Sequence, residues 1–172
     1  MATALAHAAS NLRPKCAYED ADLCLYVQFA FDENQEALIL MHELIPEASR
    51  KHAWKTLWKA QENLKKILEG NKEHKFELME ALGSELEAHV AVKAECKDKT
   101  KCETVLNLLA KSMGFTIGAL KQALPDKKDD IQDRYNLVFG ERGSGSGNYA
   151  EDMYYAAEDV LYMLENEQSE SV

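Results

Sequence analysis

The sequence predicts an all-α protein: a helical bundle of about five or six helices, with a C-terminal amphipathic helix attached by a flexible Gly/Ser linker. Three observations lead to this fold class. Apolar residues recur at helical spacing along most of the chain, strand-like alternation is absent, and only eight glycines and three prolines interrupt the 172 residues. A sandwich or barrel needs more turn residues than that. The length suits one domain, or one domain with an appended segment.

Capping and breaking residues divide the first 142 residues into helical segments. The polar run 32–34 is a possible break in the first segment, and Gly70 is a plausible C-terminal cap of the second. Gly114 is predicted to end the fourth segment, because glycine lowers helix propensity. The predicted segments cover about 20–45, 47–69, 72–94, 100–114, 116–123 and 128–139.

Acidic side chains are concentrated at the C-terminal end. Residues 148–172 hold seven of the 30 acidic residues, four of the seven tyrosines, and no lysine or arginine. The remaining 23 acids face 20 bases, so residues 1–142 carry a net charge of only -3. The acidic balance argues against nucleic acid as a partner. No apolar run approaches the 18 residues of a membrane span, so no membrane partner is expected either.

A strictly alternating Gly/Ser run separates these two parts of the chain. The run, residues 143–147, is typical of a flexible linker. In a chain otherwise poor in glycine it suggests an engineered fusion, although a native linker stays possible. The predicted organisation is a helical-bundle binding module over 1–142, a linker over 143–147, and a fused peptide ligand over 148–172. The alternative is that 148–172 is the last helix of the same bundle.

The second helical segment carries a candidate peptide groove. At 100° per residue its apolar positions form one stripe, and Trp54 and Trp58 lie outside that stripe, beside a ridge of lysines. An aromatic patch flanked by lysines suits an acidic partner. The alternative is that both indoles pack into a neighbouring helix. The groove candidates are Trp54, Trp58, Lys51, Lys55 and Lys59.

The C-terminal helix divides cleanly into an apolar and an acidic side. An isolated helix of this length is marginal in water, so its apolar side needs a surface. We expect its acidic edge to face the lysine ridge, and Trp58 to contact Tyr154 or Met153. The predicted anchors are Met153, Tyr154, Ala157, Val160, Leu161 and Leu164.

The sequence carries only weak signals for a metal-binding or catalytic site. The five histidines lack metal-ligand spacing, and the cysteine pairs 16/24 and 96/102 are not of the C-x-x-C type, so no metal and no cofactor are predicted. Four free thiols are expected, with two disulfides as the alternative. Glu85 and His89 are one turn apart, but we interpret them as part of a solvated helix face. No nucleophile or phosphate-binding loop is found, and an enzyme is not predicted.

These features favour a protein-interaction or adaptor module in the cytoplasm or nucleus. Its groove is expected to bind an acidic amphipathic helix, here supplied in cis as a fused partner peptide. The alternative is a secreted helical signalling factor with two disulfides. A small helical enzyme is the third and weakest interpretation.

Overall fold

The computed structural model describes residues 15–46, 51–70, 74–143 and 148–170. Within these ranges the chain forms six α-helices, one short 3-10 turn and no strand, which confirms the all-α prediction. No helix among the described residues is both long and apolar enough to cross a membrane. The elements are α1 (Ala21–Leu44), α2 (Lys51–Glu69), α3 (His74–Glu95), α4 (Lys99–Ala123), the 3-10 turn (Pro125–Lys127), α5 (Lys128–Gly143) and α6 (Tyr149–Glu170).

Side-chain and glycine caps set several helix ends. Asp20 begins α1 by accepting hydrogen bonds from the backbone amides of Asp22 and Leu23, both at 3.1 Å. Asp98 caps α4 in the same way. Gly70 follows the end of α2 with φ of 72°, the left-handed conformation that glycine adopts without strain. The predicted cap at Gly70 is therefore confirmed.

Two predicted helix breaks are wrong, because tertiary contacts override local propensity. α1 continues through residues 32–34, where the buried Asn34 amide donates to Leu57 O at 3.2 Å and Gln61 Oε1 at 2.7 Å. α4 continues through Gly114. A Cβ at that glycine would lie 3.1 Å from Met153 Cε, so its absence lets α6 approach closely.

Helices α1 to α4 form the body of the bundle. α1 packs chiefly against α4, and α2 against α3. The buried side of α2 is the predicted stripe, whereas the apolar side chains of Phe76 and Val90 on α3 are half exposed. The buried apolar residues form two clusters. One, around Phe31, Leu82 and Met113, includes residues of α6, and the second contains residues of α1 to α4.

The four cysteines form two disulfides, Cys16–Cys24 and Cys96–Cys102. The expectation of free thiols is therefore wrong. The Cα atoms are 5.7 and 5.8 Å apart, the ordinary spacing of a bridged pair. The first bridge ties the segment before α1 to that helix, and the second spans the turn between α3 and α4. The sequence spacing excluded a zinc motif but did not decide between thiol and disulfide.

We expect no free thiol in the denatured, unreduced chain. Alkylation in denaturant should label none of the four cysteines, and prior reduction should make all four reactive. Mass spectrometry of the alkylated chain distinguishes these states. Labelling of Cys96 or Cys102 without reductant would contradict the second bridge.

Candidate helix-docking site

Helix α6 lies in a groove formed by α3, α4 and α5. We call this surface the α6 groove. All six predicted anchors face it: four are buried, and Tyr154 and Leu161 are partly buried against the same cluster. Complete burial of an aliphatic side chain contributes about 1.5–3 kcal/mol relative to exposure, so the anchors together can hold the helix in place. The buried apolar side chains of α6 are Ala150, Met153, Ala156, Ala157, Val160 and Leu164, and Asp152 is buried as well.

Small residues allow the close approach of α6. Three of its seven buried positions are alanines. On the receiving side, a Cβ at Gly83 of α3 would lie 3.7 Å from Leu161 Cδ2, and one at Gly114 of α4 would lie 3.1 Å from Met153 Cε. A side chain at either position would have to share space with an α6 anchor. The two glycines therefore define the shape of the groove.

Two ion pairs align the acidic edges of α6 with the groove. Lys93 Nζ of α3 lies 3.9 Å from Glu151 Oε1, and Arg134 Nη1 of α5 lies 3.6 Å from Asp159 Oδ2. All four side chains are partly exposed, so each pair is worth less than about 1 kcal/mol. Their effect is on orientation and association rate more than on affinity.

The docking position differs from the one expected. Trp54 and Trp58 pack against the second apolar cluster, and their ring centroids lie 6.1 Å apart in an edge-to-face arrangement. Tyr154 stacks on His89 of α3, and Met153 lies against Gly114, so Trp58 is not the partner that the structure gives to either residue. The physical reason is shape: an alanine-rich helix side fits the glycines of the α6 groove better than a surface of indoles and lysines.

The lysine ridge of α2 nevertheless exists as predicted. Lys51, Lys55 and Lys59 are exposed. Lys55, Lys59 and Trp58 line a shallow cleft of 440 Å³ together with two carboxylates, Glu62 and Glu87. These acids offset part of the ridge's charge. Lys59 also shares a cleft of 310 Å³ with Glu165 of α6, so the ridge borders the α6 groove without forming its floor.

His89 lies in the α6 groove and is 3% exposed. Its ring stacks on Tyr154 with centroids 4.6 Å apart and planes inclined by 22°. Its Nδ1 atom is buried and has no hydrogen-bond partner among the residues that the structure describes. Burial, and next the positive charge of Lys93, lower the pKa of His89 from its ordinary 6.5 to about 4, so the imidazole is neutral at physiological pH. The interpretation of His89 as a solvated residue is wrong.

Glu85, one turn before His89, is also buried, with no exposed surface. Its carboxyl contacts the hydroxyls of Ser112 and Thr116 on α4, the latter at 2.8 Å. Burial raises its pKa to about 7, against the lowering effect of the two hydroxyls. Because the carboxyl is enclosed by the core, it forms a structural polar cluster rather than a reactive site. The predicted solvated face is therefore wrong for Glu85 as well.

In the part of the chain that the structure describes, no group of three or more His, Cys, Asp or Glu side chains is placed to hold a metal ion. No family model matches the chain, and no curated protein or solved structure matches it. The contacts of the α6 groove therefore carry the functional interpretation.

Proposed function

We propose that residues 1–142 act as a protein-interaction module whose α6 groove binds an acidic amphipathic helix, supplied in cis by residues 148–170. The observation that carries the proposal is the division of α6 into two sides. Val160 and Ala157 are fully buried against the body, whereas Tyr162 is 64% exposed. A helix that buries one side and exposes the other has the character of a ligand in a groove.

The Gly/Ser run supports the same interpretation. Its residues 144–147 lie outside the described part of the chain, and Gly143 is the last residue of α5. If the Gly/Ser run acts as the tether that its composition predicts, it would hold a weak helical ligand near its groove at an effective concentration in about the millimolar range. In this proposal the partner protein supplies an acidic helix, and Lys93 and Arg134 orient it.

A secreted helical signalling factor is the second candidate, and the two disulfides favour it. Disulfides persist in oxidising compartments and are rare in the cytosol. The cytoplasmic or nuclear location expected from free thiols therefore loses its support, and we propose an oxidising compartment. In a signalling factor α6 would be an integral helix of the bundle, and removing it would unfold the body.

Charge reversal distinguishes the α6 groove from the α2 ridge as the docking surface. We expect a synthetic peptide of residues 148–170 to bind residues 1–142 with one-to-one stoichiometry in a calorimetric titration. Lys93→Glu combined with Arg134→Glu should weaken binding by roughly 3- to 10-fold, since two rim ion pairs become repulsive. The matched control, Lys55→Glu with Lys59→Glu, makes the same change in net charge on the ridge and should bind like wild type.

The proposal is contradicted if the ridge variant loses affinity while the groove variant keeps it. Absence of any binding by a folded body would also contradict it.

A further inference from the structure

His89 of the α6 groove combines burial with a titratable ring, a combination that packing alone does not require. His89 is buried beneath Tyr154 of the docked helix, and within the described ranges its Nδ1 atom meets no donor or acceptor. A neutral imidazole has one N–H donor and one bare nitrogen. A bare nitrogen can be buried without a partner at modest cost, whereas a buried N–H without an acceptor loses its hydrogen bond to water and is clearly unfavourable. Position 89 therefore accepts a neutral ring and disfavours a protonated one.

Charged groups lie near His89 on its own helix, α3, and on the docked helix, α6. On α3 its neighbours one turn away are Glu85 and Lys93. On α6, Glu151, Tyr154 and Tyr155 line the same 390 Å³ cleft as His89 and Lys93. Glu158 accepts a hydrogen bond from the Tyr154 hydroxyl at 3.2 Å. The α4 residues buried in the main apolar cluster, such as Ala110 and Met113, carry no charge.

These groups do not provide a counter-charge for a protonated ring. Glu151 pairs with Lys93, and Glu158 accepts from the Tyr154 hydroxyl, while the Lys93 ammonium opposes a second positive charge nearby. When α6 leaves the groove, the imidazole loses its Tyr154 cover and gains water as a hydrogen-bond partner. Protonation and docking of α6 therefore oppose each other.

We propose that His89 is the specificity-determining residue of the α6 groove: it selects a helix with an aromatic ring at the position of Tyr154, and its protonation releases that helix in mild acid. This inference rests on the proposed function and adds to it the selectivity and the regulation of the same site. Stacked aromatic pairs contribute beyond their buried area, which gives the preference for a ring over an aliphatic side chain.

The size of the acid effect follows from proton linkage. A pKa of about 4 in the docked state and an ordinary 6.5 in the released state mean that docking is fully stable above about pH 6.5 and weakens as the pH falls towards 4. Between about pH 7.4 and pH 5, the equilibrium constant for α6 release should rise roughly 25-fold.

The test is hydrogen exchange on the intact chain at these two pH values, after correction for intrinsic exchange rates. In wild type, amides over 150–164 should show the roughly 25-fold increase in opening, while amides in the middle of α1 should not. His89→Phe keeps a ring but cannot be protonated, so its opening should not respond to pH. At neutral pH Tyr154→Phe should resemble wild type, and Tyr154→Leu should open roughly 2- to 10-fold more.

A second measurement does not depend on those variants folding. The His89 imidazole, followed by NMR in the intact chain, should titrate near pH 4, and near its ordinary 6.5 after Val160→Asp releases the helix. The proposal is overturned if wild-type opening is pH-independent, if His89→Phe responds like wild type, or if α1 and α6 lose protection together in acid. Lack of protection of α6 at both pH values would instead overturn the proposed docking itself.

Discussion

Replacing Glu85 by Gln should remove the loss of stability that Glu85 causes between about pH 5 and pH 8, and leave the opposite contribution of His89. The folded state holds the Glu85 proton up to a pKa of about 7, whereas an unfolded chain releases it near 4.5. The folded state thus binds more protons in this window. The resulting stability is fully present below about pH 4.5 and is lost as the pH rises through 7, a loss of about 3 kcal/mol.

The number of hydroxyl protons available near Glu85 explains why the buried site accommodates its neutral, protonated carboxyl. The Ser112 hydroxyl lies within hydrogen-bond distance of two acceptors, Ala30 O at 2.8 Å and Glu85 Oε2, but has one proton to donate. A protonated Glu85 donates to the Ser112 oxygen, which frees the Ser112 proton for Ala30. Thr116 then donates to the other Glu85 oxygen at 2.8 Å. A glutamine provides the same donor and acceptor without a charge.

Urea unfolding of wild type and of Glu85→Gln, each at about pH 5 and about pH 8, measures this effect. At about pH 5 the chains should be nearly equal, and at about pH 8 Glu85→Gln should be more stable by about 3 kcal/mol. Glu87→Gln is the matched control, because that residue lies on the same helix but is exposed, and it should behave like wild type. A Glu85→Gln chain whose stability changes between the two pH values by the same amount as that of wild type would refute the assignment of the effect to Glu85.

The second large effect is expected from Val160→Asp in α6. Val160 has no exposed surface and belongs to the main apolar cluster, so a carboxylate there would be buried without a partner. The docked state should lose more than about 3 kcal/mol, enough to release α6. Tyr162→Asp changes a side chain that is 64% exposed and should stay within about 0.5 kcal/mol of wild type.

The two variants also distinguish a docked ligand from an integral helix. Hydrogen exchange after Val160→Asp should show rapid exchange over 150–164, while amides of α1 and α4 keep their protection. Leu161, also predicted as an anchor, is partly exposed, so its replacement should have an intermediate effect. If Val160→Asp removed protection from every helix at once, α6 would be an integral part of the core.

Local periodicity was sufficient to predict the all-helical fold and the buried sides of two helices. The stripe of α2 and the anchors of α6 follow from side-chain spacing, which depends only on helix geometry. The buried pair on α3 was also readable: Leu78, Leu82, Glu85, His89 and Val92 are separated by four, three, four and three positions. That spacing is typical of a core stripe, although two of its members are polar and therefore resemble a solvated face.

Contacts between helices could not be predicted in the same way. Gly114 was interpreted as a helix break, whereas its role is to admit Met153, a residue nearly 40 positions later. The docking position of α6 depends on such long-range shape, while the lysine ridge of α2 is visible from local charge alone. The disulfides depend on which Cα atoms the fold brings together, and spacing along the chain does not determine that.

The most direct test of the central claim is hydrogen exchange on residues 1–142 alone, before and after addition of the peptide 148–170. A groove that exists without its ligand predicts strong protection in the buried amides of α1 and α4 before the peptide is added. Addition of the peptide should then increase protection mainly around Gly83, His89 and Gly114, the residues that α6 covers. Fast exchange throughout residues 1–142, with protection appearing in all helices only when the peptide is present, would contradict the account.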